Sequence, residues 1–281
     1  MPLSEPVSYP SFDAQAARYD RRTGLPSGVA AAVATAVAEV AALEPGDLVV
    51  ELGAGTGQIG VRLARPPARY AGFDLSLGML AVFRDRLGRL GAPGGGAGDR
   101  PPLVLQADGA ARWPFPDGSA RAVYASRAVH HLDPEHAAAE AARLAHPSGA
   151  VLLIGRVRRD PEAMRSALQR EMRRRLAASG VAARDPGRRQ ERLLAACCER
   201  GAELIETRIV STWRVASTAR RSLTAWAGKP GLAGTDPPPE VKSLVLEELA
   251  AWAADALGGL GRVHECDESY ALEGIRFPRS L

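Results

Sequence analysis

The stretch Val49-Val50-Glu51-Leu52-Gly53-Ala54-Gly55-Thr56-Gly57, followed at a distance by Phe73-Asp74, decides how this chain folds. An apolar strand over 48–52 runs into a glycine turn, a helix opens, a second strand over 69–73 follows, and a carboxylate closes it. That order is the nucleotide-binding half of a doubly wound α/β sheet. The glycines let main chain approach a ligand closely, and the acid stands where ribose hydroxyls are gripped. The spacing narrows the ligand. A dinucleotide fingerprint places its third glycine five positions after the first, with the pyrophosphate on the helix N-terminus. Here that position is Gln58, and the third glycine has moved up to Gly57. Glu51, just before the turn, would repel a pyrophosphate but suits an ammonium group. A ligand with a ribose, an amino group and no phosphate fits, and S-adenosylmethionine has all three properties.

Outward from the turn, the pattern alternates. Helices are expected over 27–43, 58–64, 75–90 and 135–145, and strands over 103–107, 120–125 and 150–154. The last of these is wholly apolar, as buried parallel strands are. After Gly155 the alternation stops. Helices are expected over 161–179, 190–200, 218–227 and 239–257, with strands over 203–212 and 263–277. This divides the chain into an N-terminal arm (1–26), a cofactor-binding core (27–155), helical lid insertions (156–202 and 213–262) and closing strands (203–212 and 263–281).

Composition sets outer bounds. The 281 residues, 46% of them hydrophobic, suffice for one elaborated α/β domain. No run of eighteen apolar residues is present, so no membrane span is expected. The first residues, Met1-Pro-Leu-Ser-Glu5-Pro, lack a basic region and an apolar core, and no signal peptide is expected. Three cysteines, Cys197, Cys198 and Cys266, form no metal spacing and no disulfide framework, which points to the cytoplasm. The net charge of +4 is almost all arginine, since Lys229 and Lys242 are the two lysines. With abundant Ala, Gly and Pro, codon bias accounts for much of that arginine. Nucleic acid is therefore disfavoured as a partner.

Four blocks resemble class I S-adenosylmethionine-dependent methyltransferases of the ubiquinone/menaquinone and natural-product type. They are Glu51-Leu-Gly-Ala-Gly-Thr-Gly57, Phe73-Asp-Leu-Ser-Leu-Gly-Met-Leu80, Ala107-Asp108-Gly-Ala with Trp113-Pro-Phe-Pro-Asp-Gly118, and Ala125-Ser-Arg-Ala-Val-His-His-Leu132. Pro147-Ser-Gly149 and the arm Phe12-Asp-x5-Tyr19-Asp20 add to it, so the resemblance covers roughly 12–155. It implies a Rossmann-like, seven-stranded sheet, mostly parallel with the last strand antiparallel, and a helical lid after strand five.

The resemblance also implies roles. Glu51, Gly53, Ala54, Gly55 and Gly57 would hold the methionine end of the cofactor, and Asp74 the ribose hydroxyls. Leu75 and Met79 would pack on the adenine, and Asp108 would bind its exocyclic amine, with Gly109 and Ala110 beside it. Ser126 and Arg127 would border the sulfonium, and Tyr19 would close over the cofactor or simply pack on its helix.

Methyl transfer from a sulfonium is an in-line displacement that needs position above all. A base is needed only if the nucleophile carries a proton. His130 and His131 are the candidates, His131 first; the competing reading is that they pack or bind main chain. The segment after strand four has no Asn/Asp-Pro-Pro-Tyr and the active-site loops no cysteine, which disfavours DNA amino-group and pyrimidine-carbon methylation. No metal site is expected. The inserted helices, with Met164, Met172, Trp213, Trp226 and Trp252, would wall an acceptor pocket or form plain core. The stretch 156–192 holds twelve arginines against five acids, a solvated face or a site for an anionic acceptor or RNA. The expected activity is methylation of O, N or C of a small-molecule metabolite, as in natural-product biosynthesis. RNA or protein methylation and a non-methylating cofactor-binding protein are the alternatives; a dehydrogenase fails on glycine spacing. The motifs leave acceptor and oligomeric state open.

Overall fold

A computed structural model of the chain describes residues 12–13, 16–65, 68–89, 101–182 and 186–279. Seven strands form one sheet in the order β3-β2-β1-β4-β5-β7-β6. They are β1 (Leu48–Leu52), β2 (Arg69–Asp74), β3 (Leu103–Gln106), β4 (Ala122–Ser126), β5 (Ala150–Arg159), β6 (Glu203–Thr218) and β7 (Val263–Phe277). The helices are α1 (Ala16–Thr23), α2 (Val29–Ala41), α3 (Gly60–Leu63), α4 (Leu77–Arg89), α5 (Pro134–Leu144), α6 (Met164–Ala178), α7 (Pro186–Cys198), α8 (Ala219–Ala227) and α9 (Pro239–Ala256). Strand β1 pairs in parallel with β2 and β4, β2 with β3, and β4 with β5, while β7 runs antiparallel. The strand order reverses at β1/β4, and the carboxyl ends there are where a doubly wound sheet holds its ligand.

Two strands outrun their sequence expectation. Strand β5 continues from Ile154 to Arg159 and β6 from Thr212 to Thr218. The apolar run that signals a buried strand ends at Ile154, but strand geometry continues through Arg156–Arg159 at half-exposed and exposed positions. Helix α3 is shorter than expected because the glycine turn occupies Gln58 and Ile59 as well.

The chain divides into two compact units. The first comprises 1–156, 187–211 and 270–281, and the second 157–186 and 212–269. In the first, β1, β2, β4 and β5 bury Val50, Phe73, Val123, Leu152 and Ile154 against α5 and α7, which contribute Ala138, Ala141, Leu193 and Cys197. Helix α7 thus belongs to the sheet-bearing unit, whereas the domain expectation had placed it in a lid. In the second, α6 presents Met164, Leu168, Met172 and Leu176 at four-residue spacing to Trp226 of α8 and Val245, Leu249 and Ala253 of α9. Met164, Met172 and Trp226 are therefore core of that unit, the plainer of the two readings open to them.

Candidate active site

The glycine turn is fixed from below by β2. The Gly53 and Ala54 amides both donate to the Phe73 carbonyl, at 2.9 and 3.0 Å. The next amide, Gly55, donates to Asp74 Oδ2 at 2.9 Å, and Ser76 donates to Asp74 Oδ1 at 2.9 Å. Asp74 thereby ties the turn to the start of α4 while each oxygen keeps a lone pair for a further donor. Burial raises its pKa, and the amides of Ser76 and Gly55 oppose that shift.

Gly55 and Gly57 serve the turn differently. Both have left-handed backbone, φ 54° and 74°. A Cβ on Gly57 would lie 2.0 Å from the Phe83 ring, whereas one on Gly55 would meet nothing nearer than the Gly53 carbonyl at 3.9 Å. Gly57 is small because the core presses on it. Gly55 is small and open, which is the cradle a closely approaching ligand requires.

Glu51 is 3% exposed and accepts a 2.5 Å hydrogen bond from the Tyr70 hydroxyl. Burial pushes its pKa to about 8, with Tyr70 opposing the shift and the Asp74 charge adding to it. Its carboxyl faces Tyr70, and burial favours its protonated form.

Beyond Asp74, Leu75 is 45% exposed while Met79 is 3% exposed on the inner face of α4. Of the two expected adenine contacts, Leu75 alone has apolar surface to offer. After β3, Asp108 Oδ1 accepts from the Ala110 amide at 2.8 Å, which shapes the Asp108–Ala110 loop. Trp113 anchors that loop by donating from Nε1 to the Gly109 carbonyl (3.0 Å), and its own amide donates to Glu140 (2.7 Å).

At the end of β4 the chain turns sharply. Arg127 adopts φ 59°, unusual for a residue with a side chain, and leads into the single 3₁₀ turn Val129–His131. Ser126 shares a hydrogen bond of 2.7 Å with the Tyr270 hydroxyl, which lies 2.7 Å from the Tyr124 hydroxyl as well. The His130 and His131 ring centroids lie 3.9 Å apart with the rings tilted by 42°, and His131 meets Phe12 edge-on at 6.0 Å.

The arm reaches the same place. Tyr19 on α1 packs edge-on against Phe12 (6.2 Å) and lies under the Arg127 guanidinium (5.5 Å). Two arm acids hold it there. Asp13 accepts from Ser76 Oγ (2.5 Å) and the Gly78 amide (2.7 Å) at the start of α4. Asp20 accepts from Thr56 Oγ1 (2.8 Å) inside the glycine turn and pairs with Arg86. Residues 1–11 and 14–15 of the expected arm lie outside the described residues.

The structure thus gathers Tyr19, Gly53, Ala54, Gly55, Gly57, Asp74, Leu75, Asp108, Gly109, Ala110, Ser126, Arg127, His130 and His131 on the turns at or after β1–β4, with α1 joined to them. Sequence reasoning missed Tyr70, Tyr124 and Tyr270, which read as ordinary strand aromatics. It quoted Asp13 and Asp20 as part of the arm without giving them a task. Cys197 is buried, and burial pushes its thiol up to about 12, so it is no nucleophile.

Residues 50–153 match the methyltransferase-domain family. A demethylmenaquinone methyltransferase of Beutenbergia cavernae is 31% identical over 144 residues, 50% of this chain and 55% of the relative, so the chain spans about half the length of the curated relative it matches. A provisionally assigned methyltransferase of Bacillus halodurans superposes with a TM-score of 0.55 at 20% identity, covering 87% of this chain and 98% of the other. The [4+2]-cyclase SpnF superposes with a TM-score of 0.51 at 20% identity, covering 96% and 97%. At such identity these two show the fold. Residues 50–153 thus match a methyltransferase domain, and they hold the glycine turn and Asp74 described above.

Proposed function

We propose that the chain is an S-adenosylmethionine-dependent methyltransferase acting on O, N or C of a small-molecule metabolite. The observation that carries the donor is Asp74, bound to the Gly55 and Ser76 amides at the open side of the turn. The residues fit the cofactor: an open glycine for close approach, a carboxylate with spare lone pairs for ribose hydroxyls, and exposed Leu75 for an adenine face. Asp108, Gly109 and Ala110 would meet the adenine edge. Ser126, Arg127 and Tyr19 would surround the sulfonium end, while Glu51 would act through the turn from beneath. When bound, the cofactor supplies an activated methyl group, and the chain supplies position and exclusion of water. His131, with the His130 ring against it, would take a proton from an acceptor hydroxyl or amine.

A small acceptor is favoured over RNA by the pairing of the arginine-rich stretch. Arg156 pairs with Glu273, Arg159 with Glu268, Arg175 with Glu171 and Glu248, and Arg192 with Glu135 and Glu199. Charges already neutralised within the protein release few counterions from a polyanion. No described helix is long and apolar enough to cross a membrane. We place the enzyme in the cytoplasm, in keeping with its free cysteines.

The test is S-adenosylhomocysteine formation from S-adenosylmethionine with a panel of hydroxyl-, amine- and activated-carbon-bearing metabolites. Turnover with one of them supports the reading. Turnover on RNA alone, or donor binding with conversion of a metabolite and no methyl loss, would replace it by the RNA or the non-methylating alternative.

A further inference from the structure

Strand β6 is the last in the strand order and bonds to β7 along one side; no described strand takes its other side. Such an edge is a row of unpaired amides and carbonyls, which proteins blunt with proline, lysine, a bulge or a covering element. The part of β6 that belongs to the first unit, Glu203-Leu-Ile-Glu-Thr-Arg-Ile-Val-Ser211, has no proline, glycine or lysine. It is also open on both faces. Side chains alternate along a strand, so Leu204, Glu206, Arg208 and Val210 share one face and Ile205, Thr207 and Ile209 the other. Leu204, Glu206 and Arg208 are exposed on the first face, Thr207 and Ile209 on the second. Leu204 is 66% exposed and Ile209 51%, which leaves an apolar side chain uncovered on each side of the edge.

We propose that this edge pairs antiparallel with the same edge of a second copy of the chain, about a two-fold axis at Thr207. A two-fold axis normal to the sheet keeps each face on its own side, so residues equally distant from Thr207 stand opposite one another. Glu206 then meets Arg208, Ile205 meets Ile209 and Leu204 meets Val210, each pair occurring twice. Opposite charges and apolar pairs across two strands are the contacts that stabilise a sheet. Each exposed apolar side chain comes to lie against a half-buried one, Leu204 on Val210 and Ile209 on Ile205.

The charges fix that register against its neighbours. An axis at Glu206 sets two glutamates opposite each other, and one at Arg208 sets two arginines opposite. An axis at Ile205 places Glu206 against Leu204, and one at Ile209 places Arg208 against Val210. Parallel pairing in register would set every charge beside its like. Within its own chain Arg208 pairs with Glu39 of α2, which holds the guanidinium on the face where Glu206 of the second copy arrives. Glu206 makes no ion pair among the described residues, so the second copy supplies its counter-charge.

The experiment is sedimentation velocity of the full chain over a dilution series through the micromolar range. No methyl donor is present, so the result is independent of the donor assignment. A reversible dimer is expected. Glu206→Arg, at an exposed position, sets arginine opposite arginine twice and should weaken the dimer by about tenfold or more. Adding Arg208→Glu, with Glu39→Arg to keep the pair to α2, restores opposite charges and should recover the dimer. A wild-type chain that stays monomeric throughout would overturn the proposal. So would a dimer indifferent to Glu206→Arg, or one that the exchanged charges fail to recover.

Discussion

The Tyr70 hydroxyl donates to the Glu51 carboxyl at 2.5 Å beneath the glycine turn, across the β1–β2 pair. Burial gives that carboxyl a pKa of about 8 against 4.5 for the unconstrained group. Between those values the folded chain holds a proton that the unfolded chain releases, so stability falls as pH rises. The contribution is full below the unfolded value and lost as pH passes the folded one. Denaturation of wild type and Glu51→Gln across this range is expected to show wild type losing ground by on the order of a few kcal/mol. Parallel curves for the two proteins would mean Glu51 is ionised in the fold.

The second and third glycines of the turn separate folding from binding. Gly57→Ala drives a Cβ into the Phe83 ring and should lower stability by about 2 kcal/mol or more. Gly55→Ala faces open space and carries only the left-handed backbone cost, about 1 kcal/mol. Its larger effect is on the cofactor, whose affinity should drop sharply while thermal unfolding moves little. Equal loss of stability in both variants would contradict this division.

Tyr270 returns from the last strand to bridge Tyr124 and Ser126. Removing its hydroxyl in Tyr270→Phe takes one partner each from the buried Tyr124 hydroxyl and from Ser126 and should cost about 1–3 kcal/mol. Adding Tyr124→Phe should cost less than it does alone, because the bond between the two hydroxyls is already gone. A double-mutant cycle in urea reads the coupling directly; additive losses would show that the hydroxyls act independently.

These tyrosines mark where sequence reading stopped. The glycine spacing, Asp74 and the strand–helix alternation through Ile154 were legible because local period and turn chemistry encode them. Glu51 was legible as part of the motif, but its burial was not, because its partner, Tyr70, sits on a different strand. Tyr124 and Tyr270 are 146 residues apart, and no local pattern records such a contact. The extensions of β5 and β6 were invisible for a related reason: half-exposed strands lack the apolar run by which buried ones are read. The helices α6, α8 and α9 were legible as elements, yet the core they form around Leu168, Trp226 and Leu249 brings together residues that no local period pairs.

The arm is latched to the site through Asp20, which takes Thr56 Oγ1 from the glycine turn and pairs with Arg86 of α4. Asp20→Ala should lower cofactor affinity about tenfold, roughly 1.4 kcal/mol, with little change in global unfolding. Fluorescence titration with S-adenosylhomocysteine checks this; unchanged affinity would make the arm a passive neighbour.

His131 stands at the turn after β4 with His130 and Phe12 against its ring. If it takes the acceptor's proton, His131→Ala should lower kcat by about 100-fold or more with the cofactor affinity retained. Undiminished kcat would leave position alone as the source of catalysis.

The central claim rests on Asp74 as the anchor of the cofactor ribose. Calorimetric titration of S-adenosylhomocysteine into wild type and Asp74→Ala tests it most directly. The account expects saturable binding in wild type and loss of at least 100-fold in a variant that remains folded by circular dichroism. Equal affinity in the two proteins, or no binding to wild type, would contradict it.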